Sequence, residues 1–158
     1  MHPNVDRVVA AAREAGLEIA VERFPAGTRT AVDAARAVGC EVAQIVKSLV
    51  FLADGHPVLA LVSGSNRVNL ARLAAAVGAT EARRADGDEA RNATGFAIGG
   101  VPPFGHTRPV TVVVDRDLLP HERLWAAAGL PDAVFPIGPD DLLRVSGGRV
   151  ADLAESGG

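Results

Sequence analysis

The chain has 158 residues, of which 48% are hydrophobic and 22% are charged, a composition typical of a globular protein with a hydrophobic core. Its net charge of −3 argues against an extended basic surface of the kind that wraps duplex DNA. No apolar run reaches the length of a membrane span, and residues 1–6 lack the pattern of a secretory signal. We therefore expect one cytoplasmic domain over residues 1–158, with neither DNA nor a membrane as a partner.

Cysteine and histidine are too sparse to indicate a metal site. Cys40 is the only cysteine, which excludes an internal disulfide and a multi-cysteine zinc site. The four histidines stand at positions 2, 56, 106 and 121, and none has a partner at metal-ligand spacing. We expect no metal and no cofactor, and we interpret Cys40 as a small buried residue rather than a catalytic thiol.

The first half of the chain predicts two helices and three strands. In chain order these are a helix (5–15), a half-exposed strand (18–24), a turn (25–27), a helix (31–38) and two strands (44–53 and 57–62). Thr30 is the predicted N-cap of the second helix. The dipeptide Asp54-Gly55 predicts a tight hairpin between the last two strands.

The second half of the chain predicts further short elements. They are a helix ending at 77, a polar segment (81–92) with a helix from 88, strands (109–114, 124–129 and 133–137), a helix (139–145) and a loose tail from 156. Asn69 is the predicted cap of the first of these helices, and Asp115 is predicted to cap a turn with Asp117. Helices and strands alternate without a regular βαβ rhythm, which favours an α+β fold with a mixed, barrel-like sheet surrounded by helices.

The most unusual residue is Lys47, the one lysine among 16 basic residues, because it lies inside the most apolar predicted strand. At strand period it shares a face with Leu49 and Phe51, and the opposite face is apolar apart from Ser48. A strand of this kind is normally buried on both faces. Since a buried ammonium without a partner is costly, Lys47 should meet an anion, carbonyl groups or a water-filled cleft. A lysine that reaches water at a strand edge is the structural alternative.

A glycine- and proline-rich loop over residues 94–106 is the second concentrated signal. Gly99 and Gly100 allow a ligand to approach the backbone closely, and Pro102 with Pro103 stiffens the turn. Such a loop offers backbone groups for hydrogen bonding, and a structural turn between two strands is the alternative. The apolar loop residues favour a role as core anchors over ligand stacking: Phe96, Ile98 and Phe104.

Together these segments resemble the YbaK-type domain, also called the prolyl-tRNA-synthetase-associated domain. The resemblance rests on residues 44–51 and 95–106 and extends through 28–30, 62–67 and 125–129, so it covers nearly the full chain. It implies a compact fold around a barrel-like sheet and hydrolysis of mischarged aminoacyl-tRNA. The family's lysine corresponds to Lys47, and Ser48 stands where many members have threonine.

The resemblance also implies a substrate loop at Gly99, Gly100, Val101, Pro102 and Pro103. We therefore predict a trans-editing deacylase that removes a small amino acid such as Cys, Ala, Ser or Thr from tRNA. The predicted partners are the tRNA acceptor end and a cognate synthetase. The alternative is a non-catalytic module that binds the acceptor end or an aminoacyl-adenylate-like ligand.

No Ser-His-Asp or Cys-His arrangement is visible in the sequence, which favours attack by water or by the substrate's own group. Lys47 is then an electrostatic anchor for the acceptor end. Three polar residues are candidates both for lining the pocket and for turn or cap roles: Thr30, Ser63 and Asn66. His106 either orients the substrate or stands in an exposed turn, and Trp125 is predicted to be core. Five arginines are candidates for assisting at the acceptor end or for plain surface: Arg29, Arg67, Arg83, Arg84 and Arg108.

Overall fold

The computed structural model describes residues 2–24 and 30–155 and has five α-helices and eight β-strands in those ranges. The helices are α1 (Pro3–Glu14), α2 (Ala31–Val38), α3 (Leu70–Ala76), α4 (Gly87–Thr94) and α5 (Pro139–Ser146). The strands are β1 (Glu22–Arg23), β2 (Val46–Ala53), β3 (His56–Ser63), β4 (Ala82–Arg84), β5 (Thr111–Asp115), β6 (Leu124–Ala127), β7 (Ala133–Ile137) and β8 (Arg149–Ala151). None of the described helices has both the length and the apolar character to cross a bilayer.

The strands form two sheets, which confirms the α+β prediction. The larger sheet has the order β4-β2-β3-β5-β8 and is mixed, since β2 pairs antiparallel with β3 and β4, whereas β5 pairs parallel with β3 and β8. The smaller sheet has the order β1-β7-β6 and is antiparallel. In the described ranges the larger sheet ends at β4 and β8, so the barrel-like curl predicted from the sequence does not reach closure.

Several local predictions are confirmed because caps and tight turns depend on neighbouring residues. Asp54 and Gly55 both adopt positive φ, 49° and 82°, as a two-residue hairpin of the primed type requires. The side chain of Thr30 accepts a hydrogen bond from the first turn of α2, and that of Asn69 does the same for α3. Asp115 accepts from the amide of Asp117, also as predicted.

Other predictions were wrong or incomplete. The half-exposed strand expected over 18–24 is limited to β1, because only those two residues find partners on β7. Strands β4 and β8 were not predicted, and α4 begins one residue before the expected start, with Asp86 and Glu89 in a capping box. The predicted turn at 25–27 and the predicted tail from 156 lie outside the described residues.

Strand β2 separates two hydrophobic clusters, as its apolar character on both faces predicted. Val46 and Val50 belong to the larger cluster with α1, Phe96 and Phe135. Phe51, in contrast, belongs to a second cluster with residues of β3 and α3. The central strand is therefore held from both sides, and its side-chain directions are determined by this packing.

Candidate active site

Strand β2 has one fully paired edge and one partly open edge. Toward β3, all eight of its residues are in register, from Val46 opposite Ser63 to Ala53 opposite His56. On the other edge, β4 pairs only with residues 51–53, and Ile45, just before the strand, bridges to β6. Between these two contacts, the carbonyl of Val50 accepts from the amide of Ala85, and Ser48 has no strand partner on this edge within the described part of the chain.

A cavity of about 380 Å³ lies against this open stretch. Its lining is drawn from β2, β4, α2, α4, the 94–106 loop and the smaller sheet, and it is mostly apolar. The residues are Thr30, Ala31, Ala34, Ile45, Val46, Lys47, Ser48, Leu49, Val50, Arg84, Ala85, Ala90, Ile98, Gly99, Val101, Trp125, Ala126, Ala127, Pro131 and Val134. The described lining holds two cations, Lys47 and Arg84, and no carboxylate.

The side chain of Lys47 is partly buried and has a carbonyl partner. Its Nζ donates a hydrogen bond of 2.5 Å to the backbone oxygen of Asn66. The side chain of Asn66 in turn donates to Asp115 Oδ2 at 2.9 Å and to Asp117 Oδ2 at 2.8 Å. Asp115 is fully buried and also accepts from the amide of Ser63 at 3.1 Å. The loop that receives Lys47 is therefore anchored to β5 and the turn after it through carboxylates.

The electrostatic surroundings of Lys47 disfavour its charge. Burial lowers the pKa of its ammonium below the ordinary value of 10.5, and the positive charges of Arg67 and Arg84 lower it further. The carboxylate of Asp115 acts in the opposite direction. An anionic ligand group in the cavity would relieve this repulsion, because it would add a counter-charge beside the two lining cations, Lys47 and Arg84.

The glycine-proline loop contributes two of its five predicted substrate-binding residues to the cavity, Gly99 and Val101. Gly99 has φ of 91°, a conformation that favours glycine. Gly100 is outside the lining, and a Cβ there would lie 2.9 Å from the Cα of Leu130. Glycine at 100 therefore lets the loop sit directly on the Leu130 backbone, which positions its neighbours at the cavity.

The other predictions for this loop were partly right and partly wrong. Phe96 and Phe104 are buried, consistent with the prediction that they anchor the loop in the core. The same prediction was wrong for Ile98, which is 48% exposed and lines the cavity, because it lies between the two anchors on the side of the loop that faces β2. Pro102 and Pro103 are buried outside the lining.

His106 braces this loop. Its Nε2 donates to the carbonyl of Pro102 at 2.7 Å, and because a carbonyl only accepts, Nε2 carries the hydrogen. Burial lowers the pKa of His106, and the bond to Pro102 opposes this. His106 is not in an exposed turn, and it is also not part of the cavity lining.

Among the other candidates, Thr30 lines the cavity, but its hydroxyl is already engaged as the cap of α2. The hydroxyl of Ser63 donates to the carbonyl of Ala43 at 2.8 Å, away from the lining. The hydroxyl oxygen of Ser48, in contrast, is buried and has no hydrogen-bond partner among the described residues. Ser48 is thus an unsatisfied polar group in a mostly apolar wall.

Two residues that the sequence analysis named in other terms also line the cavity: Arg84, a candidate for assisting at the acceptor end, and Trp125, predicted to be core. Arg84 comes from β4, which was not predicted, and its guanidinium lies 5.7 Å from the centre of the Phe51 ring. Trp125 is 8% exposed, as a core residue would be, and also lines the cavity. Of the other candidate arginines, Arg83 pairs with Glu89 at 2.7 Å, and Arg29 lies outside the described residues.

Cys40 is an unsuitable nucleophile. It lies outside the cavity lining, and burial together with the charge of Glu41 raises the pKa of its thiol. In the described ranges, no group of three or more His, Cys, Asp or Glu side chains is arranged to hold a metal ion.

Comparison with known proteins gives the same family along most of the chain. The sequence model of the aminoacyl-tRNA editing domain matches residues 25–145. A crystal structure described as a candidate trans-editing enzyme for prolyl-tRNA synthetase superposes with a TM-score of 0.93 at 47% identity, covering 99% of both chains.

Two curated relatives differ in how much of their length is shared. The proline–tRNA ligase of Citrifermentans bemidjiense is 36% identical over 92 residues, which are 58% of this chain but only 16% of the ligase. The uncharacterized protein YwhH of Bacillus subtilis is 28% identical over 131 residues, which are 82% of this chain and 83% of YwhH. The chain thus matches a small part of the ligase and most of YwhH.

Proposed function

The chain belongs to the aminoacyl-tRNA editing domain family, and we propose that it is a deacylase that hydrolyses the ester bond of mischarged tRNA. The observation that carries this proposal is one cavity that joins Lys47 to Gly99 and Val101. A cavity of about 380 Å³ is within the range for small-molecule sites. We further propose that it acts in trans, as a free-standing domain beside a prolyl-tRNA synthetase in the cytoplasm.

Hydrolysis of an aminoacyl ester needs only a modest rate enhancement from the protein, because the ester is intrinsically labile. Water adds to the ester carbonyl carbon, the bond to the ribose oxygen breaks, and that oxygen takes up the proton. The enzyme must orient these groups and stabilise the oxyanion. In this proposal Lys47 contacts the terminal phosphate or the ester region of the 3′ adenosine, and the backbone at Gly99 and Val101 binds the ribose hydroxyl.

The described cavity supports attack by water or by the substrate rather than by an enzyme nucleophile. The hydroxyl of Ser48 has no hydrogen-bond partner in the described part of the chain, so no base there activates it. The hydroxyl oxygen of Thr30 accepts from the amide of Asp33 as a helix cap, a bond that does not activate it as a nucleophile. For a cysteinyl substrate, the resemblance implies that the substrate's own thiol attacks.

The proposed substrates carry small amino acids, namely Cys, Ala, Ser or Thr. Trp125, Val134 and Val101 reduce the space beside β2, and the wall is largely apolar. Selection of tRNA then depends on the acceptor end and on the synthetase that releases it.

The test is a deacylation assay over tRNAs charged with alanine, serine, threonine and cysteine, using wild type, Lys47→Ala and Lys47→Arg. We expect Lys47→Ala to lower kcat/KM about 100-fold or more, because it removes the cation that positions the charged substrate. Lys47→Arg should recover only part of this, since arginine is longer and planar. The control is Arg13→Ala, because Arg13 is exposed and pairs only with Glu18 in the described structure.

Turnover unaffected by Lys47→Ala would refute the site. Binding of charged tRNA without turnover on any substrate would refute the enzyme and support the alternative, a non-catalytic module for the acceptor end.

A further inference from the structure

Within residues 2–24 and 30–155, the main chain of Ser48 has no partner on the open edge of β2. The carbonyl of Ile45 accepts from the Gly64 amide on the β3 side, whereas the carbonyl of Val50 accepts from the Ala85 amide on the opposite side. Because backbone groups alternate along a strand, the N–H and C=O of Ser48 point the same way as those of Val50. There, the described residues offer Ser48 no partner from a strand or a loop.

The N–H and C=O of Ser48 are spaced to pair with a ligand that resembles an amino-acid residue. In an antiparallel sheet, two directly opposed residues exchange both of their N–H···O bonds. An α-aminoacyl ester has the same N–Cα–C=O skeleton as a residue, with a nitrogen donor and a carbonyl acceptor. We propose that the aminoacyl group of the substrate pairs with Ser48 as a one-residue strand, filling the gap between β6 and β4. This inference rests on the function proposed above.

Each bond in this pairing has a chemical consequence. The N–H of Ser48 donates to the ester carbonyl oxygen and stabilises the negative charge that develops there during attack. The C=O of Ser48 accepts from the α-amino group. No carboxylate competes for that role in the described lining, and residues 25–29 contain no Asp or Glu.

The pairing also determines where the substrate side chain lies. Directly opposed residues project their side chains to the same face of a sheet, with Cβ atoms about 4.5–5.5 Å apart. An L-amino acid therefore places its side chain beside that of Ser48, between Val46 and Val50. A buried hydroxyl without a hydrogen-bond partner is destabilising, and a ligand that bonds to it removes that cost. After rotation about χ1, the Ser48 hydroxyl can meet a short side chain that carries a hydroxyl or a thiol.

The direct test follows the Ser48 amide by NMR in the ¹⁵N-labelled full chain. The probe is 3′-(L-alanylamino)-3′-deoxyadenosine, in which an amide replaces the labile ester. We expect hydrogen exchange of the Ser48 N–H to slow about tenfold or more at saturation, because the amide becomes hydrogen-bonded. The Lys47 N–H is the internal control, since it faces Val62 and is protected with or without ligand.

Shifts at Gly99 and Val101 with an unchanged Ser48 amide would overturn the pairing while leaving the proposed function intact. Absence of shifts anywhere at millimolar probe would also overturn it. The deacylation assay on wild type decides the function independently of either result.

A pair of variants separates the N–H from the hydroxyl. Ser48→Pro removes the N–H and the hydroxyl, whereas Ser48→Ala removes only the hydroxyl. Proline is tolerated in a strand where the N–H points away from the neighbouring strand, as the Ser48 N–H points away from β3. We expect kcat/KM of Ser48→Pro to be about 100-fold below that of Ser48→Ala, the loss typical of one oxyanion donor. Equal activity in the two variants, with equal melting temperatures, would overturn the proposal. If Ser48→Pro does not fold, the NMR result decides.

The position of the substrate side chain beside Ser48 is tested by the ratio of kcat/KM for seryl-tRNA to kcat/KM for alanyl-tRNA. We expect this ratio to fall about fivefold or more in Ser48→Ala, because the hydrogen bond to the substrate hydroxyl is lost. An unchanged ratio would place the substrate side chain elsewhere.

Discussion

The two edges of β2 differ in how completely their backbone groups are paired. On one edge all eight residues of β2 are in register with β3, and the backbone groups that face β3 are those of alternate residues. On the other, β4 pairs with only three residues, and a single bridge at Ile45 joins β6. The stretch between these contacts lies against the cavity. Among the described residues, one strand thus combines a closed edge, which belongs to the framework, with a partly open edge that faces the cavity.

This difference shows how a fold can offer precise hydrogen-bonding groups without charged side chains. The closed edge and the packing on both faces of β2 hold its backbone in place, so the groups on the open edge are already oriented. A loop could present the same groups, but it would have to be ordered on binding. Mutations should accordingly affect stability on the closed side and activity on the open side.

Leu59→Ala tests the closed side and should have the largest effect on stability. Leu59 lies opposite Val50 on β3 and is fully buried, so its truncation should cost about 2–5 kcal/mol. Thermal or denaturant unfolding measures this loss. At a temperature where the variant is folded, kcat/KM should stay within about threefold of wild type.

The matched control is Leu70→Ala, which makes the same deletion at a side chain that is 44% exposed. It should change stability by no more than about 0.5 kcal/mol. If both variants lose activity without unfolding, the division between a structural and a functional edge is wrong.

Gly100→Ala tests whether the contact between Gly100 and Leu130 positions the glycine-proline loop beside the open edge of β2. Its Cβ would lie 2.9–3.0 Å from backbone atoms of Leu130, and backbone cannot rotate away as a flexible side chain can. We expect a stability loss of about 1–3 kcal/mol from overpacking. We also expect about a tenfold lower kcat/KM, because Gly99 and Val101 would move relative to β2.

Gly87→Ala is the control for this variant, since the nearest atom to its Cβ, Ile98 Cδ1, is 4.0 Å away. This substitution on α4 should be neutral or stabilising by up to about 1 kcal/mol. Equal losses in the two variants would mean that contact with Leu130 does not position the loop.

The pH dependence of kcat/KM should report the charge of Lys47 and give the smallest effect. If the ammonium anchors the substrate, activity falls as the pH rises through its pKa, which is below 10.5. Arg67→Gln removes a positive charge that lowers this pKa, so the alkaline midpoint should move to higher pH. The profile must be corrected for spontaneous ester hydrolysis. A midpoint that moves to lower pH in Arg67→Gln would contradict the assignment.

Much of the fold was predictable because it depends on short-range signals. Thr30 and Asn69 cap their helices through bonds to residues three positions away, and Asp54-Gly55 forms the predicted turn. The strands β4 and β8 were missed, because three-residue edge strands form only where a distant partner is in place. Ile98 was wrongly predicted as core, because apolarity alone does not show which side of a loop faces the interior.

The sequence by itself determined that Lys47 lies in a strand buried on both faces and that a rigid glycine-proline loop is present. It also determined the family, because the motifs are specific in combination. Only the tertiary structure decided that β2 has an open edge at Ser48, that Asn66 receives Lys47, and that Arg84 and Trp125 line the same cavity. These facts depend on contacts between segments far apart in the chain. No local pattern of side chains records which edge of a strand will remain unpaired.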